Sequence, residues 1–217
     1  NLCVAPHHKA KAQQSIQTAV SQKRVGITEW QSLLGQLRSI TPSIPGMSGQ
    51  CLLLQAGLTG VTHGRIRITP TLQEQLCTCK ELLALEKIPT TIEELMPGEP
   101  QNIGACDAAK PGMGGVWFRD NKGPLLWRAP FPDKVQAQLV TEQNPKGHIT
   151  NSDLELAGTI MHQDVLADHT PVARETIHTF YDNTPAVAWR TKGSTTSTKS
   201  TAYLLRVATL MERTQRC

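Results

Sequence analysis

Apolar residues recur at helical spacing as far as Glu86, alternate at strand spacing from Asn102 to Phe131, and return to helical spacing after Ser152. Ala5 to Gln22 is rich in good helix formers and carries a weak apolar stripe through Ile16, Ala19 and Val20. Thr28 can cap a second helix running to about Ile40, with Glu29 in its first turn and Trp30, Leu33, Leu34 and Leu37 inward. Pro42, Pro45 and Gly46 stop it, and a third apolar helix is expected from Gln50 to Leu58. Arg65 to Ile68 alternates as a short strand or extended link. Thr71 to Glu86 is then amphipathic, with Leu72, Leu76, Cys79, Leu82 and Leu83 on one side.

A further helix start at Thr90 to Leu95 precedes Pro97-Gly98-Glu99-Pro100, the strongest linker signal in the chain. Beyond it, two apolar runs flank a Lys110-Pro111-Gly112 turn, so Asn102 to Phe118 predicts a hairpin. A second turn over residues 120–123 leads to a third strand, Pro124 to Phe131. Residues 132–149 show no clean period and predict an excursion over the surface. Ser152 can cap a helix reaching about Ala167, with Leu156, Ile160 and Val165 inward. Thr176 to Tyr181 predicts a fourth strand, Asn183 to Trp189 a short helix, residues 193–200 a Ser/Thr loop, and Thr201 to Thr214 a last helix.

Composition narrows the class. With 217 residues, 18% charged and a net charge of +4, the chain can bury a substantial core and is neither an acidic nor a polybasic disordered protein. The positive excess concentrates from Arg190 to Cys217, where six Lys or Arg face one acid, Glu212. Arg190, Lys192 and Lys199 flank the Ser/Thr loop and are the candidates for backbone phosphate contacts, which are salt-dependent and blind to sequence. No apolar run approaches the ~18 residues of a membrane span. Six scattered cysteines without a framework suit a reducing, intracellular compartment, cytoplasmic or nuclear. Cys77 and Cys79 lack partners at zinc spacing. The absence of an initiator Met is expected of a piece of something longer.

Three acids carry the candidate chemistry. Asp107 ends an apolar strand among small residues that let something bulky approach it, Glu155 sits in the first turn of a helix, and Asp182 follows a strand-like run. Carboxylates are hard oxygen ligands, and two divalent ions about 4 Å apart can clamp the attacking and leaving oxygens of a phosphoryl transfer. Asp153, two positions before Glu155, reads as a helix-cap acid instead. Cys106 alternates to the face opposite Asp107 and reads as a small core residue. His162 and His169 read as surface histidines.

The order GACDAAKPGMGGVWF, LWRAPFP, TNSDLELAG, YDNTPAV and GSTTSTKSTAYLLR resembles the ribonuclease H-like domain of retrotransposon reverse transcriptases of the DIRS and gypsy types. Upstream, EWQSLLGQLRSITPSIPG resembles the thumb helix pair of the same polyproteins. The resemblance implies an α/β fold: a ribonuclease H-like mixed sheet with flanking helices, preceded by a mainly helical thumb and connection region. It divides the chain into a thumb-like region 1–64, a connection helix and linker 65–100, and a ribonuclease H-like domain 101–217. It implies two-metal hydrolysis of the RNA strand of RNA:DNA hybrids, with Mg (or Mn) held by Asp107, Glu155 and Asp182. A fourth acid is expected beyond the last helix, and Cys217 precedes any such segment, so whether these residues cleave alone is open. The alternative is a non-catalytic nucleic-acid-binding, protein-interaction or self-assembly piece of a domesticated retroelement polyprotein.

Overall fold

The computed structural model describes residues 3–44, 46–61, 63–84, 96, 98–120, 122–173, 175–193, 195 and 199–214, with backbone alone at Lys199, Arg213 and Thr214. The chain divides into two compact units, Asn1–Leu95 with Lys192–Ser194, and Met96–Thr191 with Thr195–Cys217. The helix start expected at Thr90 to Leu95 lies outside the described residues.

The first unit is helical: α1 (Pro6–Ser21), α2 (Ile27–Ile40), α3 (Met47–Gln55) and α4 (Pro70–Ala84) pack on one another. The predicted stripes are its core, with Ile16, Trp30, Leu37, Leu76 and Leu82 fully buried. Trp30 satisfies its indole by donating to the Leu54 carbonyl at 3.2 Å. Two starts differ from expectation. Gly26, rather than Thr28, precedes α2, and its N–H donates to the Glu29 carboxylate at 3.1 Å. Gly46, at φ 85°, turns the chain into α3 three residues earlier than the apolar pattern suggested, because that left-handed turn is open to glycine. The short strand at β2 (Arg65–Arg67) pairs antiparallel with β1 (Arg24–Gly26), a segment too brief to show a period.

In the second unit the hairpin forms as predicted. β3 (Asn102–Ala109) pairs antiparallel with β4 (Gly112–Arg119), which pairs with β5 (Lys122–Pro130); β6 (Ile177–Phe180) joins the other side of β3 in parallel. The order β5-β4-β3-β6 is therefore a three-strand meander plus one parallel strand, reached through the long helix α6 (Asn151–His169). A mixed sheet with flanking helices is the expected fold class. The 132–149 excursion is less superficial than expected: it contains the single turn α5 (Asp133–Gln136), and Leu139 is buried with Ala108, Phe131 and Leu154. Residues α7 (Thr184–Lys192) and α8 (Lys199–Thr214) complete the unit; Leu205 and Ala208 of α8 pack on Leu156 and Ile160.

His162 corrects the sequence reading. It is fully buried, stacked on Trp117 with ring centroids 3.9 Å apart and planes 8° from parallel. The Trp117 indole donates to the His162 carbonyl at 2.8 Å, and the Trp127 indole donates to His162 Nδ1 at 2.7 Å. Gly104 and Gly115 open the slot that the imidazole fills, so the helix face it occupies is decided by missing side chains on the sheet, which helical periodicity does not report. His169 is exposed at the helix end, as expected. On the sheet face opposite α6, Phe118, Leu126 and Phe180 are more than half exposed among the described residues.

Candidate metal centre

Asp107 and Asp182 are brought together by strand register. Parallel pairing sets Ala105 beside Phe180; Asp107 lies two residues further along β3, and Asp182 two residues past the end of β6. Both therefore emerge at the carboxyl ends of the parallel pair, where open α/β sheets hold ligands. The Ala108 N–H donates to Asp107 Oδ1 at 2.8 Å and fixes that carboxylate. Asn183 Oδ1 accepts from the Ala186 N–H at 3.0 Å, capping α7 and anchoring the turn that carries Asp182.

Glu155 arrives from α6. Gly158, one turn later, lets the helix approach β3 closely: a Cβ there would stand 3.2 Å from that of Ala108. The helix start decides what Glu155 is free to do. Ser152 followed by Glu155 has capping-box spacing, and so does Thr150 followed by Asp153. The structure uses the second: Thr150, rather than the expected Ser152, accepts from the Asp153 N–H, and Asp153 accepts from Thr150 N–H at 2.8 Å. Thr201 also donates to Asp153. Asp153 is thus occupied as a cap, and Glu155 is left for the site.

Oxygens of Asp107, Glu155 and Asp182 lie within 4.8 Å of one another, with Glu155 buried and both aspartates exposed. Asp107 is therefore not the buried strand acid that its apolar surroundings suggest. Burial, then the negative charges of Asp107 and Asp182, push the Glu155 carboxyl up to about 7, with the Ala108 amide opposing. Like charges gathered this way fit a divalent cation: the donors are all hard oxygens, and they are poorly satisfied without a counter-charge. Cys106 is buried on the other face, as expected, and its thiol, raised to about 12 by burial and by Glu155, stays protonated.

The chain is similar to solved structures of the foamy viral protease-reverse transcriptase. In the complex of its dRH form with double-stranded DNA the TM-score is 0.33 at 12% identity, over 94% of this chain and 32% of that one. In the complex with dsDNA it is 0.33 at 15%, over 85% and 35%, and with an RNA/DNA hybrid 0.31 at 13%, over 93% and 25%. The chain thus spans about a third or less of those proteins. No protein-family model matches it, and no curated protein does. Likeness at that level leaves the site to be read from its own geometry.

The basic candidates fare unevenly. Arg190 donates to Gln163 at 3.1 Å and pairs with Glu212 at 2.5 Å, so its guanidinium is already engaged. Lys192 is exposed at the end of α7, and the Lys199 side chain lies outside the described residues. Another cation enters instead. Arg128 shares with Asp107 the lining of a surface groove of about 680 Å³, whose floor includes Gly112 and Gly114.

Two titrating groups give this unit opposed pH responses. The unfolded chain protonates His162 near pH 6.5 and the folded chain only near 4, so that stabilisation, about 3 kcal/mol, is present above 6.5 and lost as pH falls toward 4. Unfolded Glu155 ionises near 4.5 and folded Glu155 near 7, so rising pH across that window destabilises the fold. Glu155→Gln is therefore expected to melt higher than wild type above pH 7 in the absence of metal, and to expose the His162 slope. Denaturant melts across this range check both; a lower midpoint for Glu155→Gln at neutral pH contradicts the account.

Proposed function

We propose that the second unit is a metal-dependent phosphoryl-transfer site of the ribonuclease H type, acting on the RNA strand of an RNA:DNA hybrid. The observation that carries the reading is the convergence, within 4.8 Å, of three carboxylates from a strand, a helix and a strand end. Asp107 is placed between the other two elements and would contribute to both members of a Mg (or Mn) pair; Glu155 and Asp182 would complete the ion on the leaving-group side. When bound, such ions polarise the phosphoryl group and lower the pKa of coordinated water.

The protein's own part is preorganisation. The Ala108 amide and the capped α7 turn hold the aspartates in place before any ligand arrives. Burial of Glu155 keeps one side of the site dry, while the exposed aspartates leave the other open to a polymer.

The test joins binding to turnover. Calorimetric titration with Mn²⁺ should show a site lost in Asp107→Asn, and Mg²⁺-dependent cleavage of the RNA strand of a hybrid should vanish in the same variant. A longer parent polypeptide that carries the acid expected after residue 217 is included, because the resemblance places a second-ion ligand there. Wild-type protein that binds no divalent ion overturns the reading.

A further inference from the structure

We infer that Arg128 grips a phosphate of the bound polynucleotide, a second anchor across the groove from the carboxylates; this rests on the function proposed above. The register supports it directly. Asp107 pairs with Gly114, and Gly114 pairs with Arg128, so the three stand in one row across β3, β4 and β5 on the same sheet face. Strands lie about 4.8 Å apart, so the row sets the Arg128 backbone about 10 Å from that of Asp107. The adjacent row runs Ala109, Gly112, Pro130 and carries no polar side chain.

Between the acids and the arginine the floor is therefore glycine. A Cβ on Gly112 would stand 2.6 Å from the Ala129 carbonyl, and on Gly114 3.1 Å from that of Trp127. Among the described residues, only Gly114 stands between Asp107 and Arg128 in their row, so no side chain rises there to obstruct a strand of nucleic acid. Arg128 is exposed and makes no ion pair among the described residues, in contrast to Arg190. Arg128 is not among the charges that act on the Glu155 carboxyl and forms no ion pair with the acids, so it leaves them available to a cation. Its planar fork suits two phosphate oxygens, where a lysine offers only a point charge. The arginine sets where along the strand the carboxylates meet a phosphodiester.

The experiment measures binding of the full chain to a fluorescein-labelled RNA:DNA hybrid by anisotropy, in Ca²⁺ to suppress turnover, over a range of salt. Arg128→Gln is expected to bind about tenfold more weakly at low salt, with the slope of log K against log salt reduced by about 0.9. Arg128→Lys keeps the slope and loses part of the affinity. Lys122→Gln, at the far end of the same strand, serves as the control for general charge and should change little. Thermal midpoints should match wild type in all three.

Wild-type affinity and slope in Arg128→Gln overturn the inference, as does an equal loss in Lys122→Gln. A chain that holds Mn²⁺ through Asp107 and binds the hybrid without regard to Arg128 leaves the proposed function standing and removes the arginine from it. A wild-type chain that binds no hybrid overturns both.

Discussion

Gly104→Ala is expected to destabilise the second unit by about 3 kcal/mol or more, a large part of the 5–15 kcal/mol that holds a typical domain folded. The new Cβ would stand 2.4 Å from Trp117 Cε3 and 2.5 Å from His162 Nε2, well inside contact distance. Neither ring can slide away. Trp117 is tied through its indole to the His162 carbonyl, the His162 imidazole is tied to Trp127, and the two rings already stack at 3.9 Å. Close-packed interiors transmit such a displacement rather than absorb it, so α6 must lift from β3 or the sheet must bend. Gly123→Ala is the control, since nothing stands within 4 Å of its added carbon. Denaturant unfolding followed by tryptophan fluorescence should separate the two variants clearly. Equal midpoints would sink the stacked-ring account of this core.

Asp107→Asn is expected to weaken divalent-ion binding by about a hundredfold or more, since losing even an outer-shell partner costs about ten- to a hundredfold, while leaving the apo protein at least as stable as wild type. The two halves of that expectation have one cause. Asp107 is the largest charged neighbour acting on Glu155, so its neutralisation relieves repulsion in the empty site and removes a ligand from the filled one. Active-site acids commonly trade stability for function in this way. Metal affinity in the wild type should rise with pH up to about 7, because a proton on Glu155 competes with the cation. Calorimetry at several pH values gives both quantities. Unaltered Mn²⁺ affinity in Asp107→Asn would remove that residue from the ligand set.

What could be read from the chain beforehand follows from how local each signal is. The β3–β4 hairpin was legible because Pro111 and Gly112 punctuate two apolar runs; Asp107 stood out as the lone acid in such a run, although it is exposed and the cost of burying a carboxylate does not apply to it. The parallel partner was legible only as a strand; its pairing with β3 is a tertiary fact. His162 was misplaced because its neighbourhood is set by Gly104 and Gly115 on other strands. The helix start was misplaced at Ser152, because Ser152–Glu155 and Thr150–Asp153 share one capping-box spacing and only the fold decides between them; Asp153 is the cap acid, as read, but with Thr150 as its partner. Arg128 was not legible: a hairpin turning at Lys110-Pro111 sets Asp107 opposite Gly114, but the β4–β5 register shifts between Trp117 and Arg119, and counting back from the Arg119–Lys122 pair would have set Trp127, on the other face, opposite Gly114.

The joining of β3 to β6 has a bearing on how the molecule comes to be built. Gln101 accepts from the Thr176 N–H across 75 positions of chain, and the two aspartates meet only when that long loop has closed. The meander β3–β4–β5 involves near neighbours and can nucleate early, whereas the parallel strand must wait for α6 to dock. Bringing Asp107 and Asp182 together requires that long-range pairing, so any cation site they help form is expected to be among the last features of the unit to assemble.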